Sequence, residues 1–446
     1  MPSSTAGGAT GDEQQDHAGP AHLPLRDSRA GWVVVVAAMI GLGLGLSPMP
    51  FYTIGMFAPE LQKEFGWSFA ALMGSITVQS LVVMVTGPLA GLAVDRYGAR
   101  PVALVSTVLF GLCYMSLALS GGNLWLYYAQ WVVMSTLGAG TLTATWTYTV
   151  NGWFEKHRGL ALGVASTGTG ITGFLIKPFA AWLIGAYGWR TAFAVIGALP
   201  IVIGLPVLVL LFRERAQRRR AGPRPGGAQP GPAAAEEAGL TLREALRHRS
   251  FRVMALAFLL MAFALTAPTP NLENILRTQH FALPQIGAIT AGFGLSVIAG
   301  RVIGGWLLDR FWAPGCGVVV LIAPLIGNWL LARPTIDAST ATAAVVTLGL
   351  GAGFEFDLLA YLIARYFGRR AYGTIYGCFY TVIAFGGGIG PVVYGRVFDV
   401  TGRYDLALQA GMVCLVAGSL VLLLMGPYPD WREPAAAPAD RLTRGV

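Results

Sequence analysis

Apolar runs of about 20 residues follow one another along most of this chain, each long enough to cross about 30 Å of hydrocarbon as an α-helix. The composition agrees, since 54% of the 446 residues are hydrophobic, 12% are charged and the mean hydropathy is +0.59. A soluble globular protein carries roughly 25% charged residues. The chain is therefore predicted to be an integral membrane protein.

The apolar runs are continuous, whereas the strands of a membrane β-barrel alternate between apolar and polar residues. This pattern predicts an all-α membrane protein. We count twelve transmembrane helices, at 32–57, 69–93, 101–120, 124–150, 159–184, 191–212, 252–271, 285–308, 316–332, 342–364, 373–397 and 404–426.

A short motif occurs twice, 214 residues apart: Gly91…Asp95-Arg96-Tyr97 and Gly305…Asp309-Arg310-Phe311. The repeat predicts two pseudo-symmetric halves of six helices each. The predicted divisions are a cytoplasmic tail, the first half, a cytoplasmic linker, the second half and a second tail, at 1–31, 32–212, 213–250, 251–427 and 428–446.

The first tail is polar and lacks the basic start and short apolar core of a signal peptide, so we expect a disordered segment. The linker is rich in Arg, Pro, Gly and Ala, which is typical of a solvated segment. Its last part, Thr241-Leu242-Arg243-Glu244, fits a capping box and predicts a short surface helix before the seventh span.

The positive charge of the chain indicates its orientation. With both termini inside, only six of the 31 Lys and Arg residues lie in outer loops and two lie within spans, so inner segments hold the rest. This bias predicts a cytoplasmic membrane protein with cytoplasmic termini. The net charge of +9 does not indicate nucleic-acid binding, because the basic residues lie in inter-helix loops without stacking aromatic residues.

Enzymatic chemistry has no candidate residues in the sequence. The four cysteines lie one to a span without metal or redox spacing, and we interpret them as small apolar residues. The glycine run 349–353 imitates part of a dinucleotide loop but lies inside a predicted membrane helix. His157, His248 and His280 are isolated in loops. We therefore expect neither an enzyme nor a bound metal or cofactor.

The two six-helix halves, together with the loop at 91–100 and its degenerate second copy, resemble the major facilitator superfamily. Within it, several segments are similar to the monocarboxylate transporters and the oxalate/formate antiporters. The resemblance implies a secondary carrier of small organic anions with its site between the halves. The segments are Gly31-Trp32-Val33-Val34, Phe65-Gly66-Trp67-Ser68, Trp153-Phe154…Arg158-Gly159 and Tyr187-Gly188-Trp189-Arg190.

The repeated motif is the candidate cytoplasmic gate. Asp95 lies where a helix meets the cytoplasm, able to accept hydrogen bonds from another helix's first amides or from Arg100, while Gly91 permits close approach. In the family this contact is a latch that favours the outward-facing state. Arg96 and Arg100 alternatively only anchor the loop. The second copy, Asp309 and Arg310, lacks the later glycine and basic residue.

Charged residues within spans are the best guide to the transported substrate. Inserting a charged side chain at the bilayer centre costs roughly 2.5–3.5 kcal/mol of free energy, so its presence there calls for a partner or for water. Arg301 lies two turns before Asp309, too deep to reach the interface, and its planar group can hold a carboxylate with two hydrogen bonds. The relatives carry an arginine at the corresponding place. We predict that Arg301 binds the anion; a structural ion pair with Glu355 or Asp357 is the alternative.

Glu355 and Asp357 lie near the middle of the tenth span on different helix faces, so only one of them is expected to see the cavity. One of the two is predicted to carry a coupling proton. Lys177 lies near the outer end of the fifth span. Its ammonium either reaches the outer interface or faces the cavity and attracts the anion.

A further set of polar and aromatic residues within spans could line the cavity, and its members could equally serve helix packing: Tyr52, Trp146, Asn271 and Tyr380. The cationic residue that monocarboxylate transporters often carry in the first span is absent, as is the lysine of the oxalate antiporter in the eleventh.

We predict a secondary active transporter that moves a monocarboxylate-like anion with protons by alternating access, as a monomer among membrane lipids. Two other functions remain open: a proton-driven exporter of amphipathic or cationic compounds, and a membrane sensor that uses the same scaffold without transport.

Overall fold

The structure, a computed structural model, describes residues 29–154, 157–214, 239–368 and 370–429. Helices account for nearly all of the ordered backbone in these ranges, and no strand occurs among them. Most of the predicted tails and of the central linker lie outside the described residues.

The described part of the first half contains eight α-helices, and some of them are pieces of one membrane crossing. They are α1 (Arg29–Gly43), α2 (Pro48–Phe65), α3 (Phe69–Tyr97), α4 (Ala99–Ser116), α5 (Leu124–Leu137), α6 (Thr143–Trp153), α7 (Arg158–Leu199) and α8 (Leu205–Leu211).

The second half begins with a short surface helix and follows the same plan. Its helices are α9 (Leu242–Arg247), α10 (Arg249–Thr266), α11 (Pro268–Thr278), α12 (Leu283–Arg310), α13 (Ala313–Leu331), α14 (Ala338–Phe367), α15 (Tyr372–Thr401) and α16 (Asp405–Leu423).

Ten segments of the described chain are long and apolar enough to cross a membrane. The one at 160–211 contains two passes, because the backbone turns at Gly188, where φ is 79° and ψ is 166°. The segment 124–153 adds a further pass, divided into α5 and α6 by a turn at Gly138–Thr141. The all-α fold with twelve passes in two halves, predicted from the sequence, is confirmed.

The seventh span differs from its predicted limits of 252–271. Beyond Thr266 the crossing continues as α11, whose first turn contains Pro268, a residue well suited to that position. The crossing therefore extends to Thr278 and includes Glu273. The first span is likewise longer than 32–57 and is divided between α1 and α2.

The predicted capping box is confirmed at the start of α9. Thr241 accepts from the amide of Glu244, whose carboxylate accepts from the amide of Thr241. The Thr241 amide also holds the pKa of Glu244 below its usual range.

We call the end of the bundle at which α1 begins the inner face and the opposite end the outer face. Toward the outer face, buried apolar residues of both halves form one shared core, in which α2, α3 and α7 meet α11 and α12. Toward the inner face the halves have separate cores. The halves are therefore joined at the outer face and apart at the inner face.

The two halves meet in direct backbone contact where α7 crosses α12. A Cβ atom at Gly294 would lie 2.3 Å from the carbonyl oxygen of Gly170 and 2.3 Å from the amide nitrogen of Phe174. No side chain fits between the two helices at this level, so glycine at position 294 permits the outer face to close.

We expect Gly294→Ala to destabilise this closed arrangement by roughly 1–3 kcal/mol, because the methyl group forces α7 and α12 apart. Thermal unfolding of the purified protein in detergent measures the effect as a lower Tm. Gly305→Ala is the control, because a Cβ atom at Gly305 meets no atom within 4 Å. Equal Tm values for the two variants would contradict this account.

Candidate functional site

Besides a buried ion pair described below, three polar contacts hold the halves together toward the outer face. Asp399, in the last turn of α15, accepts from the first two amides of α3, at Phe69 (2.8 Å) and Ala70 (2.9 Å). Arg277 pairs with Glu60 at 3.1 Å. Deeper in the bundle, the hydroxyl of Thr77 donates to the carbonyl of Gly388. All three join one half to the other.

The inner face is open by comparison. A Cβ atom at Gly91 or Gly305 meets nothing within 4 Å, and the side chains of Asp95 and Asp309 are exposed. No hydrogen bond or ion pair joins the side chain of Asp95 to another described residue. Together with the separate inner cores, these features define an arrangement open toward the inner face.

Arg301 of α12 lies beside Asp357 of α14, with its Nη1 3.9 Å from Oδ1 of that carboxylate, and Tyr376 of α15 is near both charged groups. We call the space around Arg301, Asp357, Tyr376 and Tyr380 the inner vestibule.

The guanidinium of Arg301 is incompletely satisfied by the protein. Its contact with Asp357 is long for an ion pair and is not a hydrogen bond. Its Nε is buried without a partner among the described residues. The side chains of Arg301 and Asp357 are 25% and 37% exposed, so neither is sealed inside the protein. Such a group can accept an anion without first losing a strong internal bond.

Aromatic side chains lie beside the charged pair. Tyr376 lies one helical turn before Tyr380 on α15 and is near both charged groups. The rings of Tyr380 and Phe356 are 6.3 Å apart. Of the predicted lining residues, Tyr380 thus lies in the inner vestibule.

The two carboxylates of α14 face different surroundings. Asp357 is exposed in the inner vestibule, whereas Glu355 is 3% exposed and its Oε1 has no hydrogen-bond partner in the described chain. On the same side of α14 as Glu355, Gly351 packs against Pro324 and Leu265 inside the second half. Glu355 therefore faces the helix packing of that half.

Lys177 is not at the outer interface, so the interpretation that its side chain reaches the membrane surface was wrong. Its Nζ is 2.7 Å from Oε1 of Glu273, and the two side chains are 0% and 1% exposed. The pair joins α7 of one half to α11 of the other. Its formation depends on the longer seventh span, and the sequence analysis missed Glu273 because it ended that span at residue 271.

Aromatic rings and a glycine enclose this ion pair. Lys177 Nζ lies 6.0 Å from the ring centroid of Tyr52 and 5.8 Å from that of Phe293. A Cβ atom at Gly55 would lie 2.0 Å from Oε2 of Glu273. That oxygen has no hydrogen-bond partner among the described residues. Tyr52 thus lies at this level of the bundle, buried beside Lys177.

Trp146 and Asn271 are engaged in packing. The indole of Trp146 is fully buried in the inner core of the first half, donates to the carbonyl of Thr141 and packs against Gly41. The Asn271 amide donates to the carbonyls of Ala267 and Pro391. Neither side chain lies in the inner vestibule in this arrangement.

The remaining motif residues lie at the inner face. Arg100 donates to the carbonyl of Val209 at 2.8 Å and so ties α4 to α8. The guanidinium groups of Arg96 and Arg310 lie over the rings of Tyr97 and Trp306. The first amide of α4, at Ala99, donates to Glu214.

Comparison with known sequences gives matches along nearly the whole chain. Monocarboxylate transporter 13 of Bos taurus is 25% identical over 429 residues, which cover 94% of this chain and 95% of the relative. Monocarboxylate transporter 11 of Mus musculus is 27% identical over 414 residues, covering 89% and 88%. Monocarboxylate transporter 2 of Mus musculus is 24% identical over 444 residues, covering 91% and 85%.

Among solved structures, a bacterial homolog of the human lysosomal transporter Spinster shares the fold. Its inward-facing, unoccupied conformation matches with a TM-score of 0.62 at 17% identity, covering 90% of this chain and 96% of the other. The profile of the Major Facilitator Superfamily matches residues 30–391. This chain therefore belongs to the Major Facilitator Superfamily and is a membrane transporter, not an enzyme.

Proposed function

We propose that this transporter carries a small organic anion of the monocarboxylate type together with protons across the cytoplasmic membrane. The supporting observation is Arg301, a permanent cation inside a membrane span, partly exposed and without a side-chain hydrogen bond to the described residues. A guanidinium in this position can hold a carboxylate with two parallel hydrogen bonds.

The names of the sequence relatives support the same cargo class, since the three described above are monocarboxylate transporters. At about one residue in four identical, they support a class of cargo and not a particular acid.

The coupling proton is assigned to one of the two carboxylates of α14. Asp357 is next to Arg301 and exposed to the inner vestibule, so protonation of Asp357 would release Arg301 to bind the anion. Glu355 is buried without a hydrogen bond to its Oε1, and an isolated charge is costly to bury, so a proton or a partner must neutralise it.

Arg301→Ala is expected to lower proton-driven uptake of radiolabelled pyruvate, lactate or acetate into proteoliposomes by roughly tenfold to a hundredfold. A hydrogen bond to a charged group contributes about 1.5–3 kcal/mol, and 1.4 kcal/mol corresponds to tenfold. Arg301→Lys should recover only part of the loss, because an ammonium cannot form the double contact. Arg213→Ala, on the inner surface, is the control, and uptake unchanged by Arg301→Ala would contradict the assignment.

Export of cationic or amphipathic compounds is a second candidate function. Asp357 is more exposed than Arg301, and Tyr376, Tyr380 and Phe356 lie around it, a combination that suits an organic cation. Overproduction of the protein would then raise resistance to toxic cations, and Asp357→Asn would abolish that resistance. Uptake of monocarboxylates without any such resistance favours the anion carrier.

The two aspartates that end α3 and α15 form the gate in this proposal. Asp95 is the third residue from the end of α3, and Asp399 is the third residue from the end of α15. The two helices pack against each other across the halves. Asp399 holds the first amides of α3 in the present arrangement. When the inner face closes, Asp95 is placed to hold the first amides of α15 in the same way.

Asp399→Ala is expected to shift the population toward the outward-open state by roughly two- to thirtyfold, since loss of a helix-capping carboxylate costs about 0.5–2 kcal/mol. Asp95→Ala should shift it the opposite way. Distances between spin labels on the outer loops of the two halves measure both shifts. Shifts in the same direction for both variants would exclude a reciprocal gate.

A further inference from the structure

The buried pair of Lys177 and Glu273 lies at a different depth from the inner vestibule. Phe293, which lies beside Lys177, precedes Arg301 by eight residues on α12. The backbone of α12 beside the ion pair is therefore about 12 Å nearer to the outer face than the backbone at Arg301. The bundle thus contains charged groups at two levels, an outer pair that is buried and an inner pair that is partly exposed.

The outer pair joins the two halves, so it cannot survive their separation. Lys177 belongs to α7 and Glu273 to α11, and both side chains are almost completely buried in the closed outer core. Opening of the outer face separates these helices and brings water to both charges. Lys177 then has no carboxylate partner unless one arrives from solution.

We propose that Lys177 and Glu273 form a second, outward-facing loading site of this carrier, in which the carboxylate of the cargo replaces Glu273 on Lys177 while Glu273 takes up a proton. This proposal rests on the function proposed above and adds to it the residues that receive the anion and the proton from the outer side.

Charge balance supports the exchange of partners. In the empty closed state the Lys177 ammonium and the Glu273 carboxylate neutralise each other. In the loaded state the ammonium pairs with the cargo anion, and Glu273, with a proton on one oxygen, is neutral. The net charge of the site is zero in both states, so the halves can close over either one. Closure over an unpaired Lys177 or an unpaired Glu273 carboxylate would bury a single charge.

Few other titratable side chains lie around Glu273 that could take up the proton in its place. Lys177 of α7, Tyr52 of α2 and Tyr404, next to α16, are the titratable side chains around it, while α12 contributes the Phe293 ring. Asp399 of α15 also interacts with Tyr404. Glu60 and Arg277 pair with each other farther out. Oε2 of Glu273, which lacks a partner in the described chain, is the oxygen available to the proton.

Transport assays in proteoliposomes with radiolabelled pyruvate test the exchange. Glu273→Gln leaves Lys177 without a partner in the empty carrier, which then cannot close, whereas the loaded carrier still closes over the anion. We expect pyruvate–pyruvate exchange within a few-fold of the wild type and a loss of at least tenfold in net proton-driven uptake. The pH dependence of exchange should also weaken, because the carboxylate of α14 is then the remaining proton carrier. Loss of both activities together, or of neither, would overturn the proposal.

A purely structural ion pair is distinguished by the double variant Lys177→Met/Glu273→Met. Two apolar side chains of similar size can replace a buried ion pair without loss of stability. If the pair only held the halves together, the double variant would transport normally. We expect a folded protein, judged by its Tm, whose net uptake and exchange both fall at least tenfold. Lys63→Met, at an exposed lysine near the end of α2, is the matched control.

A second measurement follows the opening of the outer face in the absence of any transported anion. Spin labels at the exposed positions Gly121 and Thr335, in a chain whose four native cysteines are replaced, report the separation of the halves at the outer face. Mild acidification should increase the open population of the wild type and of Glu60→Gln but not of Glu273→Gln. The loading site would be refuted if the distance between the labels in the wild type did not change with pH, or if it still changed in Glu273→Gln. This conclusion would hold even if Arg301 proved essential for uptake. Absence of uptake of any monocarboxylate by the wild type would instead refute the proposed cargo.

Discussion

A charged side chain at membrane depth needs an opposite charge or water beside it, and this requirement organises the interior of the bundle. Lys177 and Glu273 meet the requirement by pairing in a dry core. Arg301 and Asp357 differ from that pair, because they lie close to each other and both remain partly exposed. The difference between the two pairs follows the shape of the bundle, which is closed toward the outer face and open toward the inner face.

That shape results from how the halves meet. At the outer end, glycines such as Gly294 bring the backbones of α7 and α12 into direct contact, and the apolar side chains of both halves form one core. At the inner end each half keeps its own core. Because each half is packed internally, the halves can rotate against each other without unfolding, as alternating access requires.

Local patterns identified the fold well. Twelve apolar runs and the repeated Gly…Asp-Arg motif were enough to predict two halves of six spans, and the capping box at Thr241 was correct. The main error was the limit of the seventh span. It was ended at residue 271, although Leu272, Ile275 and Leu276 continue a buried apolar face of α11 beyond that point. With the span ended at 271, Glu273 was not recognised as a charge within the membrane.

The sequence by itself determined that this chain is a helical membrane protein of two related halves and that Arg301, Glu355 and Asp357 lie inside the membrane, because span length and local charge are properties of neighbouring residues. Only the tertiary structure decided which charges are partners. Lys177 and Glu273 are 96 residues apart, and Asp399 and Phe69 are 330 apart. Such contacts depend on how the halves pack and on which face is closed, and neither is encoded in any single segment of the chain.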